Sequence, residues 1–138
     1  MHQIVYHKSV MLKVDNEIMN RFKLPSEETL WRWVIENKGR LFKTYTGLPF
    51  SYDLKKGRNG SYTKELWIDR RKGSKSLAWG SIRRAYDKVV ELTIENGGKP
   101  VVERPKALGD IRGISYIYGI FYQFGIIEVP ESIKIKMC

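Results

Sequence analysis

Cysteine is nearly missing from this chain: Cys138 is its one example among 138 residues. A disulfide framework needs pairs and a thiolate zinc site needs several ligands, so both are excluded. Histidine is as scarce. His2 and His7 are five residues apart, whereas two ligands on one strand face need an even offset. No apolar run approaches the roughly 18 residues of a membrane-spanning helix. The opening Met1-His2-Gln3-Ile4-Val5-Tyr6-His7-Lys8 lacks the charged start, apolar stretch and cleavage site of a signal peptide. The expectation is a reduced, cytoplasmic protein with no membrane partner. There is no glycine-rich dinucleotide fingerprint, no kinase signature and no Ser-His-Asp spacing cue. The chain also lacks the Gly-x4-Gly-Lys-Ser/Thr spacing of a P-loop. No cofactor and no metal are expected, and nothing in the sequence declares a catalytic reaction.

Acidic residues are scarce in one place. From Lys38 to Arg84 the chain has thirteen cations but only Asp53, Glu65 and Asp69 as anions, a surplus of ten. The twelve cations and twelve anions elsewhere cancel, so the net charge of +10 belongs entirely to the central third. Charge added for solubility alone would be scattered. A segregated basic field concentrates polyanions around it and speeds encounter with them.

The rest of the composition is that of a folded chain, with 42% hydrophobic and 29% charged residues. One domain over residues 1–138 is expected, with a core that needs no covalent staples. Residues 3–14 alternate and hold β-branched side chains, which predicts a strand. Asp15-Asn16 is a turn signal. Ser26 suits a helix N-cap, Glu27 and Glu28 complement the positive helix end, and Leu30, Trp31, Val34 and Ile35 follow at helical spacing up to Lys38-Gly39. Trp33 falls off that stripe and is expected to cover a neighbouring element. Residues 40–46, 50–56 and 62–71 then read as three strands of an antiparallel meander.

A parity argument sets the second hairpin. Phe50, Tyr52 and Leu54 are even-numbered, as are Tyr62, Leu66 and Ile68. Directly opposed residues share a face, so even must pair with even. That requires an odd loop of three or five residues, with Gly60 or Gly57 at positive φ, and puts Asp53, Glu65, Trp67 and Asp69 on the other face. Residues 72–76 read as a loop, with Ser76 capping a helix over about 77–95 that buries Trp79, Ile82, Ala85, Tyr86, Val89, Val90 and Thr93. The almost uncharged segment 114–124 predicts a fully buried helix in which Gly119 admits a neighbouring helix. Residues 126–129 and 133–136 are expected to add an edge strand. The sum is an α+β domain, with an antiparallel three- to five-stranded sheet packed on one side by two or three helices, in the order β-α-β-β-β-α-α-(β).

The leading functional expectation is a nucleic-acid-binding domain without catalysis. Arg70, Arg71, Lys72, Ser74 and Lys75 run from a strand end into an expected helix start, where backbone N–H groups favour anions. Arg83 and Arg84 lie two turns further on. Lys55, Lys56, Arg58 and Asn59 form the hairpin tip, a basic arm of a size suited to a groove, and Lys43 adds a cation on the preceding strand. Tyr45 and Trp67 sit beside charged neighbours rather than in the apolar series, which makes them candidates to stack on bases. An alternative is a magnesium-dependent nuclease using Asp53, Glu65 and Asp69, since clustered acids can hold a metal that activates water. Another is an inhibitor or adaptor whose basic face meets an acidic protein partner.

Overall fold

The structure, a computed structural model, describes residues 24–70 and 73–138. The strand expected at 3–14, the turn after it, and Arg71 and Lys72 lie outside the described residues.

Helix α1 is Glu27–Glu36. The Ser26 hydroxyl accepts the Thr29 N–H at 3.2 Å, as its position before two glutamates suggested; such a cap contributes about 1 kcal/mol. Leu30 and Val34 are buried along one side. Trp31 meets Trp79 edge to face at 5.1 Å between ring centres, and Trp33 meets Phe124 in the same way at 6.1 Å.

Strands β1 (Phe42–Lys43), β2 (Pro49–Lys56), β3 (Tyr62–Arg70) and β4 (Gly73–Ala78) form an antiparallel sheet in the order β1-β2-β3-β4. β1 is shorter than the expected strand because the chain turns at once. The Thr44 N–H and Oγ1 both engage Leu48, and Gly47 occupies φ 90°. The parity reading of the β2–β3 hairpin holds. Tyr52 pairs with Ile68 and Leu54 with Leu66, five residues separate the paired Lys56 and Tyr62, and Gly60 sits at φ 83°.

The main departure lies at residues 73–78. They form a strand, not a loop leading into a helix. Pairing Leu66 with Leu77 and Ile68 with Lys75 buries Leu77 and covers the edge of β3 that would otherwise be open. Helix α2 (Trp79–Glu95) therefore starts two residues later than a Ser76 cap would place it, with Ala78 at its N-cap and no side-chain cap bond. Its buried stripe is the expected one: Trp79, Ile82, Ala85, Tyr86, Val89, Val90 and Thr93.

A 3-10 turn at Pro105–Leu108 leads to helix α3, Ile114–Gln123, the expected buried helix. Gly119 does allow a close approach, but of a strand rather than a helix: a β-carbon there would overlap the Lys43 carbonyl oxygen of β1 and press on Phe50. The expected final edge strand is also corrected. Residues 126–129 make only an isolated parallel bridge, Glu128 to Val101, and Glu131–Met137 form helix α4.

The helices cover the even-numbered face of the sheet. Phe42 stacks on Phe50 at 5.6 Å, and Phe50 meets Tyr116 of α3 edge to face at 5.0 Å. The Tyr52 hydroxyl donates to the Val34 carbonyl at 2.6 Å, which ties α1 to the sheet. The Tyr118 hydroxyl donates to Val102 in the same manner. Each large side chain fully buried here contributes roughly 1.5–3 kcal/mol. No described helix is long and apolar enough to cross a membrane.

Candidate functional site

The unexpected fourth strand decides where the charge goes. Along β4, Ser74 and Ser76 turn to the odd-numbered face, opposite Asp69 and Trp67, while Lys75 turns to the helix side opposite Ile68. Arg70, at the end of β3, shares the helix side with Lys75. Its Nη1 donates to the Tyr116 hydroxyl at 2.9 Å, and the Lys75 ammonium stands 5.9 Å from the same ring. Gly113, the N-cap of α3, sits against Leu77 with no room for a β-carbon. That contact brings Arg112 to β4.

The result is an open cleft of about 570 Å³ along β4, the outer strand of the sheet among the described residues. Arg70, Lys75 and Arg112 supply its charge, Ser74, Ser76 and Ser81 its hydroxyls, and Glu65 one carboxylate near Ala78. The ion pairs among the described residues are Arg83–Glu27, Lys88–Glu91 and Lys134–Glu131. None involves the three cleft cations, so the salt bridges that could have joined Arg70 to Asp53, Glu65 or Asp69 do not form. The Nε of Arg70 is moreover buried without an acceptor. Among the described residues, these three cations share the cleft lining with a single carboxylate, Glu65, so like charge predominates there. An anion entering the cleft offsets that excess.

The other expected site residues separate into groups. Lys55, Lys56, Arg58 and Asn59 are exposed at the β2–β3 tip. Asn59 Oδ1 accepts the Ser61 N–H at 3.0 Å, so part of that side chain shapes the turn. Arg83 and Arg84 are exposed on α2, with Arg83 4.0 Å from Glu27. Lys43 and Tyr45 are at the β1 side, the opposite edge from the cleft. Lys43 donates to the Cys138 carbonyl oxygen at 2.8 Å, and Tyr45 packs edge to face on Tyr118 at 5.6 Å.

Trp67 projects from the odd-numbered face, where Lys55 places its ammonium 3.8 Å over the ring. It pairs with Asp53 across the strands and has Glu65 and Asp69 two residues to either side. The ring face is occupied by Lys55, and the indole Nε1 is buried, so the stacking surface expected of Trp67 is not open on that side. The same three acids are spread around Trp67 rather than gathered. Among the described residues, no group of three or more His, Cys, Asp or Glu side chains is placed to hold a metal ion. The acid cluster required by the nuclease reading is therefore not formed there.

Sequence reasoning missed Arg112, Ser81 and Tyr116. Arg112 lies 42 positions beyond Arg70 in the chain and outside the basic third; only the packing of Gly113 on Leu77 brings it in. No known protein family, curated protein or solved structure matches the chain.

Proposed function

We propose that this domain binds nucleic acid without acting on it chemically, holding backbone phosphates in the cleft along β4. One observation carries the reading: Arg70, Lys75 and Arg112 line a single cleft and none is paired with a carboxylate among the described residues. Guanidinium groups match phosphate oxygens two at a time, and the Ser81 hydroxyl on α2 is a further donor in the cleft lining. Contacts of this kind fix the position of a strand and carry little base information. The exposed cations of the hairpin tip and of α2 extend the positive field around the cleft, which raises the rate of encounter.

The test is a titration of labelled single-stranded DNA, duplex DNA and RNA at about 50–200 mM salt. Each phosphate neutralised contributes about 0.7–0.9 to the slope of log affinity against log salt. The three cleft cations alone therefore give a slope of about 2–3 in magnitude. Absence of binding at the low-salt end, or binding without a salt slope, contradicts the proposal. Capture of an acidic protein that survives nuclease treatment, with no oligonucleotide binding, would instead support the adaptor reading.

A further inference from the structure

Helix α2 has a second basic cleft at its other end. It encloses about 620 Å³ beside Leu92 and Asn96 and is lined by Lys99, Arg104 and Lys106, with Glu103 as its one acid. Among the described residues its lining charge is +2, three cations against one anion, and the β4 cleft has the same balance, with Arg70, Lys75 and Arg112 against Glu65.

The two clefts share a wall. Ser81 lines the first, and Leu92 and Asn96 line the second. Ser81, Arg84, Lys88 and Leu92 follow one another at steps of three and four along α2, which places them on one flank of the helix. Arg84 is exposed there, and Lys88 is half-buried and paired with Glu91 at 3.0 Å. The segment from Lys99 to Arg112 contributes to both clefts: Lys99, Arg104 and Lys106 line the second, Arg112 lines the first, and the 3-10 turn between them packs on α2. From Ser81 to Asn96 the helix advances about 22 Å, at 1.5 Å per residue.

We propose that the nucleic-acid site is a track running the length of this flank, with the cleft of Lys99, Arg104 and Lys106 as its second phosphate seat. This deepens the function proposed above and rests on it. A small anion fills one cleft and gains nothing from the other. A linear polyanion neutralises both, and the exposed Arg84 lies on its way, whereas Lys88 is already paired with Glu91. With phosphates advancing about 3.4 Å each along a stacked strand, the span corresponds to roughly six or seven nucleotides. The second seat lies outside the strongly basic third, where the overall charge of the chain is balanced. Folding, not composition, sorts its cations onto the track.

Length dependence tests it. A variant carrying Lys99→Gln, Arg104→Gln and Lys106→Gln is titrated beside the parent against single strands of about 4 and about 16 nucleotides, a range that brackets the span. Circular dichroism and urea unfolding show whether the variant folds as the parent does. The expected result is a loss of about tenfold or more for the long strand, a salt slope lower by about 2, and little change for the short one. Equal loss for both lengths would mean that the cations act only through the general field, and would overturn the track. So would no loss for either, which leaves the β4 cleft as the whole site. A parent that binds neither strand would overturn the function itself. As a second probe, Arg84→Gln, at an exposed helical position, should weaken only the long strand; an equal effect on both lengths contradicts the track.

Discussion

The Arg70 guanidinium donates to the Tyr116 hydroxyl at 2.9 Å, joining the end of β3 to the first turn of α3 across 46 positions of sequence. The bond aims a cation that would otherwise sample many rotamers. Tyr116→Phe removes the aim and leaves the charge. Oligonucleotide affinity should fall several-fold while the salt slope stays at the parent's value, because the number of neutralised phosphates is unchanged. Arg70→Gln should lower the slope by about 1 as well. A Tyr116→Phe protein that binds like its parent would show that Tyr116 does not position Arg70.

Gly119 sets how closely α3 lies on β1. A methyl group there overlaps the Lys43 carbonyl oxygen, which belongs to the backbone and cannot swing aside. Gly119→Ala should cost about 1–3 kcal/mol, the range for forcing an extra carbon into a filled interior. Urea unfolding measures it. An unchanged midpoint and slope would mean that the helix and strand can separate at no cost.

Burial pushes the Tyr52 and Tyr118 phenols well above their usual range, and at Tyr118 the neighbouring Tyr45 and Glu103 add to the shift. Below about pH 10 both are neutral, folded or unfolded, and their stabilising contribution is complete. Above it the unfolded chain ionises while the folded protein resists, so stability falls as the pH rises. Unfolding free energy measured from pH 8 upward should be flat with respect to these groups until about pH 10 and then decline. Tyr52→Phe should decline less steeply. An identical decline in the two proteins would exclude Tyr52 as a source.

Local chemistry made much of the fold legible. Ser26 before two glutamates marks a helix start, and the even numbering of Tyr52, Leu54, Leu66 and Ile68 dictates an odd loop in the hairpin. What escaped is decided at a distance. Gly73-Ser74-Lys75-Ser76 has turn and capping residues and reads as a loop, yet pairing with β3 makes it a strand, because Leu66 and Leu77 need each other. The candidate site divides in the same way. Arg70 and Lys75 stand out by local charge, and Ser74 as a hydroxyl between them. Arg112 and Ser81 are unremarkable in sequence and reach the cleft through tertiary packing, and Tyr116 reaches Arg70 in the same way; Lys99, Arg104 and Lys106 gather in a separate cleft at the far end of α2.

The most direct measurement compares the parent with a protein carrying Arg70→Gln, Lys75→Gln and Arg112→Gln, titrated with labelled single- and double-stranded oligonucleotides across a salt series. A folded triple variant should bind at least about tenfold more weakly at low salt, with a slope reduced by about 2–3. If it folds and holds oligonucleotides as tightly as its parent, with the same salt dependence, the β4 cleft is not where this protein grips phosphate.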